Sequence, residues 1–291
     1  MKKVIIQWQD QFFNWQHNTT MHHQQSAYKA AQNRASNQMP GLIIGRSCPW
    51  AHRAWIIHEI KGLKKSINLH IAQVDKEGGR WRLDPPIKGC KTLQELYQKC
   101  GNHQSRRATV PMLFDPGKEP ESKLRLINNE SAELVEILNN WPIYDHEIDL
   151  NPSKYKKQII NWQNLIQENI NNGVYKCGFA RNQKAYEKAS KNLFSTLNII
   201  EEHLQSNGPW LCGKNLSIAD IRLFPTLIRW EAIYYPLFKC SNKSIKSYSS
   251  SDGAKFRDWL IEQGMGQYPP IRMYSQYLTQ IRYSSVSTKA Y

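Results

Sequence analysis

The sequence predicts an α/β domain over residues 41–140, followed by an all-α domain over residues 150–262. Three observations carry this expectation. Short apolar or alternating segments at 41–45, 68–74 and 108–115 read as strands, with helical stretches between them. Beyond a Pro- and Asp-containing connection at 141–152, nearly every apolar residue recurs at helical spacing. The chain has 291 residues, 40% of them hydrophobic, enough to bury a sizeable core in two domains.

The elements follow in order. Residues 1–40 are rich in Gln, Asn and His and read as an irregular N-terminal arm. Within it, Trp8, Phe12, Phe13 and Trp15 fit one amphipathic helix. Gly41–Gly45 is a short buried strand. Residues 54–63 have helical spacing, with Gly62 as a stop. Asn68–Val74 alternates polar and apolar and is the second strand. Residues 78–81 and 84–89 read as loops, the latter because of two prolines. Thr92 and Glu95 are placed as a capping box. Residues 108–115 form a strand opened by Val110-Pro111, a proline position that marks an edge or a turn. Residues 123–127 are its partner, and 132–138 are a helix.

The second domain holds helical stretches at 155–171, 183–205 and 217–233. Ser217 and Asp220 open the last of these as a capping box. Residues 255–261 fit one further helix, and 263–291 are a divergent tail.

Cys48 stands where the first strand meets the first helix. Pro49 suits the first helical turn, because its missing N–H has no partner there anyway. A thiol at that place faces unpaired N–H groups and the positive end of the helix dipole, so its pKa is expected to fall. A lone cysteine is commonly just a small buried hydrophobe. The strand–Cys-Pro–helix context favours a reactive thiol instead. Position 51, where a dithiol motif has its second cysteine, is Ala51. A disulfide formed at Cys48 is therefore resolved by an outside thiol, of which glutathione is the simplest.

Bulk properties narrow the function. The net charge is +15, but the positive residues are spread along the chain. That argues for a general affinity for anions and against a nucleic-acid groove. No apolar run approaches the ~20 residues of a membrane span. The first residues carry no signal-peptide pattern, so a cytoplasmic protein is expected. Six scattered cysteines, none in C-x-x-C spacing, point to no metal site and to thiols that are reduced at rest.

The motifs then point to a family. Cys48-Pro49-Trp50-Ala51-His52-Arg53 resembles the signature of the glutathionyl-hydroquinone reductases, the Xi-class, omega-like glutathione transferases. Residues 79–81, 89–93, 109–111, 128–131, 172–180, 219–224 and 234–240 resemble the same family in the same order. Residues 241–251 and 264–291 depart from its pattern. The resemblance implies a thioredoxin-like glutathione-binding domain followed by an all-α glutathione transferase domain. It also implies a homodimer, glutathione as co-substrate and glutathionyl-hydroquinone as substrate.

The resemblance further implies roles for single residues. Cys48 attacks the glutathione sulfur, hydroquinone leaves, and a second glutathione resolves the mixed disulfide. Val110 and Pro111 match the corner whose cis bond turns backbone groups toward glutathione. Glu130 and Ser131 match the pair that holds the γ-glutamyl end, although the same residues also suit a plain helix cap. Trp81 matches the residue that covers bound glutathione. Arg106 or Arg107 is a candidate for the glycyl carboxylate. Tyr175 and Tyr234 match the phenols that line the electrophile side, with Tyr235 as an alternative to Tyr234. His52 and Arg53, one turn into the helix, are expected to brace the motif or the domain interface rather than take part in chemistry. Tyr274, Tyr277 and Tyr283 are candidates for a further tyrosine. The alternatives are a conjugating glutathione transferase, or a binding protein that keeps the fold without the activity.

Overall fold

A central strand buried along its whole length organises the first part of the chain. The computed structural model describes residues 38–75, 80–101, 108–117, 123–142, 148–207 and 210–241. The chain divides into two units, Met1–Glu147 and Ile148–Tyr291.

In the first unit the described residues form six strands: β1 (Gly41–Gly45), β2 (Asn68–Val74), β3 (Trp81–Ile87), β4 (Cys90–Thr92), β5 (Met112–Asp115) and β6 (Arg125–Asn128). Their order is β4-β3-β2-β1-β5-β6. β1 runs parallel to β2 and antiparallel to β5. Leu42, Ile43 and Ile44 are wholly buried, each worth about 1.5–3 kcal/mol of apolar transfer. Helix α1 (Pro49–Ile60) returns the chain from β1 to β2, as a parallel pair requires. Residues 51–58 of α1 are buried, and Gly62 supplies the left-handed residue after it. His58, buried in α1, donates from Nε2 to Ile67 O at 3.0 Å.

Helix α2 (Leu93–Lys99) starts at the expected box. Glu95 N–H donates to Thr92 Oγ1, and Glu95 Oε2 accepts from Thr92 N–H. Helix α3 (Ser131–Asn139) packs against α1.

Three sequence expectations in this unit need correction. Trp81 and residues 84–87 are not loop but part of β3. β3 pairs with β2 at Trp81, Arg82 and Leu83. Its pairing with β4 is interrupted between Arg82 and Ile87, and the two prolines sit in that interval. A bulge tolerates residues without an N–H, so a proline pair does not forbid a strand. Of the edge or turn expected at Pro111, the edge is excluded, because β5 lies between β1 and β6, while the chain does bend at Val110-Pro111. Pro111 stands just before the first strand residue, where no ladder bond is lost. Finally, β6 begins at Arg125 rather than Lys123.

In the second unit, α4 (Lys156–Ile166) leads into a π-helical turn at Gln167–Asn171. Then come α5 (Gly173–Gly178), α6 (Gln183–Asn207) and α7 (Ile218–Leu227). A second π turn, Trp230–Tyr234, precedes the short α8 (Tyr235–Leu237). α7 is shorter than its sequence pattern predicts. Pro225 withholds an N–H two residues before its end, and the chain then widens. At the start of α7, Asp220 accepts from the N–H and the hydroxyl of Ser217 and from Leu211 N–H. Among the described residues, no helix is long and apolar enough to cross a membrane. The expected helices near Trp8–Trp15 and at 255–261 fall outside the described residues.

Candidate functional site

Cys48 is the N-cap of α1. Its backbone N–H donates to Gly45 O at 3.0 Å, which holds the residue against the end of β1. Its sulfur accepts from Ala51 N–H at 3.5 Å. As a thiol it also donates to Val110 O at 3.5 Å. The two contacts favour opposite forms. An N–H aimed at sulfur near a helix N-terminus supports a thiolate, whereas a carbonyl supports the proton. Cys48 is half-buried. Position 51 at its back is a fully buried alanine.

The corner facing the sulfur comes from β5. Val110 and Pro111 are buried, and among the described residues Val110–Pro111 and Asp84–Pro85 are the cis bonds. Tyr97 holds the approach to this corner. Its hydroxyl donates to Thr109 O at 2.9 Å, and burial pushes the phenol pKa up. Trp81 lies over the end of β1. A Cβ built on Gly45 would stand 2.4 Å from the Trp81 ring, so only glycine admits this contact. Arg53 is buried and stacks on Trp50, its guanidinium 4.5 Å from the ring centroid. His52 meets Trp55. Both side chains are committed to packing in α1.

Glu130 and Ser131 open α3 at the end of β6. Glu130 is the N-cap, and its Oε1 accepts from Ala132 N–H at 3.3 Å. Glu130 N–H donates to Asn128 Oδ1 at 2.7 Å, and Asn128 Nδ2 donates to Glu133 Oε2 at 2.6 Å. Asn128 thus fixes the turn from two sides. Ser131 is buried in the first helical position.

The predicted phenols belong to the second unit. Tyr175, on α5, and Tyr234, at the end of the second π turn, are both buried. Their hydroxyls are 3.3 Å apart and share one hydrogen bond. Phe238 meets both rings edge-on, and Phe179 packs on Tyr175 and Phe238. Each tyrosine follows or ends a widened turn. Asn172 N–H donates to Gln167 O, and Tyr234 N–H to Arg229 O, five residues back in both cases. Thr226 Oγ1 donates to Asn171 Oδ1 at 2.7 Å, tying the first π turn to α7. Tyr235, the alternative to Tyr234, lies in α8 and is more exposed.

Two family models match the chain: the N-terminal domain of glutathione S-transferase over residues 47–141, and its C-terminal domain over residues 183–276. The glutathionyl-hydroquinone reductase PcpF of Sphingobium chlorophenolicum is 36% identical over 238 residues, which cover 77% of this chain and 74% of that one. The chain belongs to the glutathione transferase family.

Solved structures give its branch. Glutathione transferase Xi 1 from Trametes versicolor superposes with a TM-score of 0.70 at 28% identity, covering 83% of this chain and 85% of its own. The glutathione-bound structure of YqjG, from Escherichia coli K-12, gives 0.69 at 31% identity, covering 82% and 77%. The protein is thus an enzyme of the Xi-class, omega-like transferases, with a thioredoxin-like first domain and a helical second one.

Within this transferase, sequence reasoning missed several residues around the motifs. Gly45, Tyr97 and Asn128 shape the first unit's corners, and Phe179 and Phe238 enclose the phenol pair. Gly45 stands before a cysteine motif, where a glycine signals close approach. Asn128, Phe179 and Phe238 lie in stretches that resemble the family, and Tyr97 carries no local signal. Arg106, Arg107, Tyr274, Tyr277 and Tyr283 lie outside the described residues. Among the described residues, no group of three or more His, Cys, Asp or Glu side chains could hold a metal ion.

Proposed function

We propose that this transferase reduces glutathionyl-hydroquinones to hydroquinones, with glutathione as co-substrate and Cys48 as nucleophile. The observation that carries the reading is Cys48 as the N-cap of α1, with Ala51 donating to its sulfur and no thiol at position 51. The names of the relatives support the substrate class.

The Cys48 thiolate attacks the glutathione sulfur of the conjugate. The sulfur–carbon bond breaks, its electron pair goes to the hydroquinone ring, and the ring takes up a proton. Cys48 is left in a disulfide with glutathione. A second glutathione thiolate attacks that disulfide, releasing glutathione disulfide and restoring Cys48. Backbone groups of Val110 pair with the glutathione peptide, Trp81 covers it, and Glu130 with Ser131 takes its γ-glutamyl end. Tyr175 and Tyr234 supply a phenolic hydrogen bond to the hydroquinone oxygen. The enzyme acts as a homodimer in the cytosol, where its thiols stay reduced.

Mass spectrometry after incubation with a glutathionyl-hydroquinone tests the reaction. The expected product is a glutathione adduct on Cys48 that added glutathione removes. Release of hydroquinone with Cys48 unmodified throughout would overturn it.

A further inference from the structure

Two cysteines outside the Cys48 site meet in the second unit. Cys177, on α5, and Cys240, after α8, are both buried, and the Cys240 thiol reaches the turn of α5 that carries Cys177, donating to Val174 O at 3.9 Å. The backbone brings them together by several fixed contacts. Phe238 packs so tightly on Gly178 that a Cβ there would stand 2.4 Å from its ring. Lys239 adopts a left-handed conformation, φ 59°, which turns the chain inward at the next residue. Lys239 O accepts from the Tyr186 hydroxyl at 2.7 Å. Cys240 N–H donates to Tyr234 O at 3.1 Å, and the Cys240 thiol lies 3.9 Å from Val174 O, one turn before Cys177.

We propose that Cys177 and Cys240 form a dithiol that a hydroperoxide converts to an intramolecular disulfide. The neighbouring Cys240 thiol draws the Cys177 thiol below the usual cysteine range, against the effect of burial. The same neighbour and burial push Cys240 up. Cys177 is therefore the attacking sulfur and Cys240 the resolving one.

The Cys177 thiolate attacks one peroxide oxygen, a sulfur–oxygen bond forms, and the oxygen–oxygen bond breaks. The alkoxide or hydroxide that leaves takes up the thiol proton, and Cys177 becomes a sulfenic acid. The Cys240 sulfur then attacks the Cys177 sulfur. Hydroxide leaves and takes the Cys240 proton as water. In sum, two thiols and one hydroperoxide give one disulfide, one alcohol or water, and one further water. Because both sulfurs are buried, oxidation proceeds through local opening of residues 235–240 and is slower than at an exposed thiol.

The bond fastens residues 238–240 onto α5 and so fixes the two backbone segments that carry Tyr175 and Tyr234. This inference does not rest on the reaction assigned to Cys48.

The test uses the full chain carrying Cys48→Ser, so that Cys48 takes no part. The protein is treated with hydrogen peroxide and denatured, and free thiols are blocked with a maleimide. Non-reducing peptide mapping follows. A linked Cys177–Cys240 peptide is expected, with loss of label at both positions and full reversal by a reductant. In a second variant that adds Cys177→Ala, the link disappears and Cys240 stays labelled. Label retained at both cysteines, a link to another cysteine, or oxidation of one thiol to sulfinic acid without a link each overturns the proposal.

Discussion

The Cys48 sulfur stands 3.5 Å from the carbonyl oxygen of Val110, 62 positions further along the chain. The pairing of β1 with β5 creates this meeting, since Cys48 follows one strand and Val110 precedes the other. The proposed chemistry turns on the atom at that meeting. Replacing Cys48 by alanine keeps Pro49 and the buried face of α1. Thiol transfer to glutathione is expected to fall by about 10³-fold or more, with the fold intact by circular dichroism. Full reductase turnover in Cys48→Ala would falsify the assignment.

The phenol pair gives a second expectation. Tyr175→Phe and Tyr234→Phe each remove one oxygen from the 3.3 Å hydrogen bond and leave the ring packing in place. If the phenols serve the hydroquinone oxygen, kcat falls by about 10²-fold, while glutathione binding is unchanged. A loss of about 1 kcal/mol of stability with unaltered kcat would instead assign the pair to packing alone.

Gly45 separates a structural role of Trp81 from a ligand-binding one. Gly45→Ala sets a methyl group against the indole, so the ring must shift. A stability loss of about 1–3 kcal/mol is expected from overpacking. Isothermal titration should also show weaker glutathione binding. Unchanged affinity in a destabilised variant would count against Trp81 as the cover of the ligand.

Asp220 makes stability depend on pH. Burial is the main cause that lifts its carboxyl from 3.8 to about 6, against three hydrogen bonds that favour the charged form. The folded state therefore binds this proton more tightly than the unfolded state. Below pH 4 both states are protonated, and between 4 and 6 the unfolded state ionises first. This group's contribution thus falls as pH rises through that window, by about 3 kcal/mol in all, and is level above it. Urea unfolding of the parent and of Asp220→Asn, compared from pH 4 to 7, isolates the effect. The parent's advantage should shrink with rising pH; a constant or growing advantage refutes it.

Local chemistry made much of this fold legible. β1, α1 and β2 follow from short apolar runs and a proline at the helix start. Both capping boxes follow from residue types three positions apart. β3 is not legible locally, because two prolines signal a loop, while the interruption that accommodates them is a property of pairing with β4. The end of α7 depends on a widened turn, whose bonds to the fifth residue back are set by packing rather than by residue type. The motif residues around Cys48, Glu130 and Tyr175 came from family resemblance. Asn128 and Phe238 lie in the same resembling stretches but carry no role there, and Gly45 and Phe238 act through contacts distant in sequence, with Trp81 and Gly178. The Cys177–Cys240 contact has no spacing pattern at all.

β1 is paired with β2 along its whole length and with β5 at Gly41–Ile43, and none of its residues is exposed. Its amides are expected to be among the slowest of the first unit to exchange with solvent. Cys48 begins three residues beyond that strand and is tethered back to Gly45. The Cys48 sulfur is thereby moored to a buried strand. In the proposed reaction the substrate comes to a stationary thiol, and the sulfur strays only when that strand opens.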